Sequence, residues 1–242
     1  MGHRTRRRRA RWLTALPLAL FVALASGCVA ETPTVVRPEF SQGGVLTLPE
    51  PAVSGEVSVE EAIHSRRSVR EYSSTALTYD EVGQVLWAAQ GITDESGHRA
   101  APSAGALYPL EVYLVVGQVQ GLPAGAYQYV PDGHALLPLA QHERREALAA
   151  AAGGAPAVRS APATLVIVGV YERTAAKYGD RAERYVHLEA GHAAENVYLE
   201  CAALGLGTVS IGAFSDDAVR EALDLPTEQT PLYLMPVGHP RP

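Results

Sequence analysis

Residues 163 to 170 read Ala-Thr-Leu-Val-Ile-Val-Gly-Val, eight positions with one hydroxyl and no charge. A β-branched run without alternation suits a strand buried on both faces, so it predicts the central strand of a sheet covered on both sides. Farther along, Val186, Ala190, Ala193, Val197 and Cys201 recur at helical spacing and predict one long helix from about Arg181 to Leu204. Gly191 lies inside it at a cost of about 1 kcal/mol against alanine. A close helix contact or a ligand would offset that cost.

The first residues do not belong to such a core. Arg4, Arg6, Arg7, Arg8, Arg9 and Arg11 precede an apolar run from Leu13 to Ala25, and Ala25-Ser26-Gly27-Cys28 closes it with small residues. This is the layout of an export signal over residues 1–27, with an apolar run too short to span a bilayer. Leu24 to Cys28 resembles a bacterial lipobox, which implies lipidation of Cys28 and a membrane-anchored, exported protein. The adjacent arginines also permit a twin-arginine route. Residues 28–56, with Pro33, Pro38, Pro49 and Pro51, read as a tether, and the folded domain is expected at 57–242.

Removing residues 1–27 takes away six arginines and no acids, so the formal charge moves from −6 to −12. An acidic domain argues against a nucleic-acid partner. Cys201 is the one cysteine beyond Cys28, which leaves no disulfide framework. His187 and His192 are five apart and do not share a helix face as a zinc-binding pair would, so no metal is expected.

Ser58 and Glu61, then Thr78 and Glu81, have the spacing of capping boxes and predict two helix starts. Between them lies Arg66-Arg67-Ser68-Val69-Arg70-Glu71-Tyr72. Guanidinium groups beside a hydroxyl suit a phosphate, and a solvated charge run has the same composition. Ala101 to Pro109 is a turn of small residues before the alternating strand Glu111–Val116, and small residues let a backbone approach a flat ligand. Asp132-Gly133 predicts a hairpin, Glu143–Ala152 a helix, Asp216–Leu223 another, and Pro231–Val237 a last strand. Lys177 is the only lysine of the chain and is followed by Tyr178, just ahead of the expected helix start at Asp180. An amine and a phenol together offer two proton-transfer groups, or they decorate a solvated loop.

RRSVREY at 66–72, PSAGALYPLEVY at 102–113, KYGDRAERYVHLEAGHAAEN at 177–196, GLGTVSIGAF at 205–214 and PLYLMPVG at 231–238 occur in one order. In that order they resemble the FMN-dependent nitroreductase superfamily, and within it the SagB/ThcOx branch, whose members oxidise azolines in modified peptides. The resemblance covers Val57 to His239. It implies an α+β, nitroreductase-like fold, a central mixed or antiparallel sheet flanked by helices, in a homodimer with FMN at the subunit interface. It places Arg66, Ser68 and Arg70, with Arg67 close by, on the flavin phosphate and polar tail. Pro102, Ser103, Gly105 and Leu107 would lie along the ring system, and Gly212 and Ala213 near flavin N5.

The same resemblance makes Lys177 and Tyr178 the catalytic pair. A base role requires Lys177 in its neutral form, with Tyr178 donating or positioning. The implied substrate is a small molecule or modified peptide. Two alternatives stand beside it: an NAD(P)H-dependent nitro or quinone reductase, and a non-catalytic flavin- or ligand-binding lipoprotein. Export separates the domain from cytoplasmic nicotinamide, and the chain ends at Arg241-Pro242 where many relatives carry a further basic phosphate contact.

Overall fold

The computed structural model describes Gly2 and residues 44–241. The expected export signal, Cys28 and the first part of the tether lie outside the described residues. The strands are β1 (Leu46–Thr47), β2 (Leu110–Val116), β3 (Gly125–Val130), β4 (Ala135–Ala140), β5 (Ala163–Gly169), β6 (Gly207–Thr208) and β7 (Thr230–Gly238). The helices are α1 (Val59–Ser65), α2 (Tyr79–Gln90), α3 (Arg145–Ala151), α4 (Pro156–Ser160), α5 (Tyr171–Tyr178), α6 (Ala182–Ala203) and α7 (Asp216–Leu223).

The strands form one sheet in the order β1-β4-β3-β2-β5-β7-β6, and each of these pairings is antiparallel. The strand expected at the centre, β5, is buried at all seven residues between β2 and β7. Its side chains alternate between two cores. Leu165 and Ile167 join the cluster that contains Val82 and Leu86 of α2 and Val186 and Val197 of α6. Val166 and Val168 join Leu148 of α3, Val158 of α4 and Val219 and Leu223 of α7. Helices therefore cover both faces, and an all-antiparallel sheet still carries a strand apolar on both sides.

Local signals set several boundaries. Thr78 and Glu81 form a complete capping box, whereas Ser58 accepts from the Glu61 amide at 3.1 Å and caps α1 from one side. Such a cap contributes about 1 kcal/mol. On α1 the expected apolar face buries Ala62, while Val59 and Ile63 each remain 57% exposed.

Two expectations need correction. The tether gives way to folded structure before Val57: Leu46 and Leu48 are buried in the core, β1 pairs with β4, and Thr47 O accepts from the Tyr79 hydroxyl at 3.0 Å. The Leu-Thr-Leu alternation drives this, because one apolar face outweighs the prolines that flank it. Lys177 and Tyr178 are also not on a loop. The chain leaves β5 at Gly169 and turns within one residue into α5, whose last turn carries both side chains.

Candidate active site

The segment after α1 runs extended along β6. Ser68 bridges Thr208 in parallel register, and Val69 N donates to Thr208 O at 2.9 Å. A Cβ at Gly207 would stand 2.6 Å from the Val69 side chain, so only glycine lets this segment lie so close. The Tyr72 hydroxyl fixes the far end, within reach of the carbonyls of Val69 at 2.8 Å and Pro236 at 2.9 Å. Burial pushes the Tyr72 phenol well above its ordinary pKa and keeps it a donor.

Of the arginines on this segment, Arg66 lays its guanidinium over the Tyr198 ring at 5.1 Å, with Glu195 at 4.0 Å. Ser68 Oγ lies 3.2 Å from the Tyr198 hydroxyl, and Arg70 is exposed. Arg67, the neighbouring arginine, donates from Nη1 to the carbonyls of His64 and Arg66 at the end of α1. The chain terminus runs beside the same segment, with Arg241 N donating to Glu71 O at 3.1 Å.

The small-residue turn forms a second group. Tyr108 N donates to Ser103 Oγ at 2.9 Å, and Gly105, Ala106 and Tyr108 have φ of 66°, 55° and 47°. Three left-handed residues in so short a stretch need support from outside. Glu189 of α6, 4% exposed, accepts from Ala104 N at 2.8 Å. Arg173 of α5 is held by Glu111 and donates to Tyr108 O at 3.1 Å, while the Arg99 guanidinium lies 4.6 Å from the centre of the Tyr108 ring. A Cβ on Gly105 would stand 2.8 Å from Lys177 Nζ and 2.9 Å from Tyr178 Oη. The amine and the phenol thus converge on the turn; Pro102 is exposed beside it and Leu107 half-buried.

Gly212 and Ala213 are exposed on the loop after β6. Gly212 lines a cavity of about 580 Å³ with Phe214, Tyr233, Tyr171 and His187. Tyr171 Oη lies 2.7 Å from His187 Nε2, and burial, aided by Glu183 and Asp216, pushes the phenol up to about 12.

One chain thus brings Lys177, Tyr178 and Gly105 together, and separately joins Arg66 and Ser68 to the segment entering the Gly212 loop. Glu189, which holds the first group, and Tyr198, which holds the second, are nine residues apart on α6. Nine residues are two and a half turns, so the two groups sit on opposite flanks of the helix and about 13 Å apart along it. Sequence reasoning missed both residues. Glu189 was detectable as a carboxylate in helical phase with Val186 and Ala193, and Tyr198 as the neighbour of Val197 one turn before Cys201.

Residues 63–239 match the model of the Nitroreductase family. MJ1384 of Methanocaldococcus jannaschii, named as a nitroreductase, is 49% identical over 183 residues, 76% of this chain and 91% of that protein. The Microcin B17-processing protein McbC of Escherichia coli is 30% identical over 135 residues, 54% of this chain, which spans 50% of that relative's length. A crystal structure of a protein from Ralstonia eutropha JMP134 described as a nitroreductase superposes with a TM-score of 0.73 at 29% identity, covering 85% of this chain and 94% of that one. The match extends over most of the described domain and includes every element that carries the two groups above: the chain belongs to the nitroreductase family.

Proposed function

We propose that this nitroreductase-family oxidoreductase is an FMN-dependent dehydrogenase of the SagB/ThcOx type, acting on an azoline-like small molecule or peptide. The observation that carries the reading is the convergence of Lys177 Nζ and Tyr178 Oη on the turn at Gly105. The likeness to McbC, a protein named for microcin processing, supports the same branch.

The residues fit an FMN. Arg66 and Ser68 offer a guanidinium and a hydroxyl on a segment fixed at both ends, and Arg66 has its nearest carboxylate only at 4.0 Å. Gly105 presents a bare backbone, and Gly212 and Ala213 are open to a flat ring. Bound there, FMN would supply two-electron acceptance. The chain itself would orient the substrate against the turn, take a substrate proton on Lys177 Nζ, and hold the substrate with the Tyr178 hydroxyl.

We further propose that two copies complete each site, since the two groups flank α6 on opposite sides. Along the outward face of α6, Leu188 is 53% exposed and a Cβ at Gly191 would meet nothing within 4 Å. Val59 and Ile63 of α1, which packs on α6, are exposed apolar residues as well. The export signal, lipidated Cys28 and membrane attachment belong to the same proposal.

The test is reconstitution of the purified domain with FMN, followed by an azoline peptide with oxygen as acceptor. Lys177→Ala should keep the flavin and lose turnover. A protein that takes up no flavin, or a Lys177→Ala variant that oxidises substrate at the wild-type rate, overturns the reading. Rapid reduction by NADPH with no azoline oxidation would favour a nitro or quinone reductase; MJ1384 is named as a nitroreductase.

A further inference from the structure

Tyr198 touches both the arginine segment and the approach to the Gly212 loop. Its phenol oxygen lies 2.8 Å from Ser210 N, 3.2 Å from Ser68 Oγ and 3.4 Å from Ser210 Oγ. A phenol both donates and accepts, with the in-plane lone pair its better acceptor. The Ser210 amide can only donate, so it uses acceptor capacity, and the two serine hydroxyls share the donor and what acceptance remains. The ring face carries Arg66 at 5.1 Å. The side chain is 8% exposed, and its helical register is set by Val197 and Cys201, which are 0% and 1% exposed.

We propose that Tyr198 is a positioning residue for the flavin site, coupling the placement of Arg66 and Ser68 to that of the Ser210–Ala213 backbone. This inference rests on the FMN reading. Two loops supply opposite ends of the candidate site, and the backbone already joins them at Thr208, two residues before Ser210. Ser68 and Val69 are tied to Thr208, and Ile211 exchanges backbone hydrogen bonds with Leu234 at 2.9 and 3.0 Å. Tyr198 is the side chain that reaches both, from a rigid 22-residue helix. Binding at Arg66 and Ser68 would then act on the amides two to three residues beyond Ser210 through this phenol, in addition to the backbone tie at Thr208.

Tyr198→Phe isolates this role. The ring, its burial and the contact with Arg66 remain, as do the backbone ties to Thr208 and Leu234, so the domain should fold. Only the hydroxyl that accepts from Ser210 N and meets Ser68 is lost. FMN affinity of the apoprotein, measured by fluorescence titration, should fall about tenfold, equivalent to about 1.4 kcal/mol. The midpoint potential of the bound flavin should fall, because amides that are less fixed stabilise the reduced form less. The apoprotein should still unfold cooperatively, at a modestly lower melting temperature because the Ser210 amide loses its acceptor.

Ser68→Ala gives an independent measurement, and the two variants form a cycle. Non-additive effects on FMN affinity are expected, because both remove the same contact. Unchanged affinity and potential in Tyr198→Phe would overturn the proposal. So would full additivity with Ser68→Ala. Should Tyr198→Phe fail to fold, Ser68→Ala with wild-type affinity would overturn it. A wild-type protein that takes up no FMN overturns the flavin reading itself and this inference with it; wild-type uptake matched by Tyr198→Phe overturns the role of Tyr198 alone.

Discussion

Gly105→Ala separates what the turn does for the fold from what it does for the site. The new Cβ would stand 2.8 Å from Lys177 Nζ and 2.9 Å from Tyr178 Oη. The amine ends a flexible side chain and the phenol a ring packed edge-on against Tyr185, so the clash is relieved by shifting the amine and tilting the phenol. The backbone, at φ 66° and ψ 16°, is left-handed, where an L-residue costs about 1–2 kcal/mol. The adjacent Ala106 already tolerates φ 55°. Stability should therefore fall by about 1–2 kcal/mol, a Tm drop of about 2–8 °C at this domain size. Turnover should suffer more, since displacing a proton-transfer group by about 1 Å costs on the order of 100-fold. Circular dichroism melts and kcat/KM on the FMN-loaded protein measure the two effects separately. Wild-type turnover in Gly105→Ala would refute the convergence of Lys177 and Tyr178 on the turn. Loss of folding would refute the argument that only side-chain ends must move.

Gly191→Ala should stabilise the isolated protomer by up to about 1 kcal/mol through helix propensity, since nothing lies within 4 Å of the added Cβ. Gly191→Trp, equally unobstructed within one protomer, should yield a monomer by light scattering with weakened FMN uptake; a Gly191→Trp dimer with normal uptake would contradict the two-copy site. Stability should also depend on pH through His134, whose pKa burial depresses and whose Nδ1 lies 2.8 Å from the Tyr129 hydroxyl. Its neutral form is favoured in the fold, so its contribution is present above the unfolded value of about 6.5 and is lost as pH falls below it toward the depressed folded value. Urea midpoints at pH 7.5 and 5.0 should therefore differ less in His134→Gln than in wild type.

The legible parts of the fold were those that carry their own local chemistry. Asp216–Leu223 and the start of α2 follow caps that work within one turn, and the long helix came within a residue of its expected ends because its apolar stripe has a single period. What escaped was structure made by partners distant in sequence. An eight-residue helix is marginal alone, and α5 has no side-chain cap at Val170. It exists because Tyr171 meets His187, and because Tyr178 packs edge-on against Tyr185 with ring centres 5.0 Å apart.

The candidate site shows the same division, and α6 explains why. Its motif residues were legible because each motif is contiguous: arginines with a serine, a turn of small residues, an amine beside a phenol. The residues that hold those motifs in place, Glu189 and Tyr198, come from the helix, one on each flank of its buried face. Read along the helix they interrupt an apolar stripe and carry no motif. In the fold they fix the turn at Ala104 and the approach to Gly212. A helix that grips one group on each flank sets them apart by its own diameter, about 10 Å, and by its rise between Glu189 and Tyr198. A twofold axis against its outward face would set one copy's turn beside the other copy's arginine segment. The exposed Leu188 and the bare Gly191 lie on that face, so the helix that divides the site within one protomer is also the surface through which a second copy could complete it.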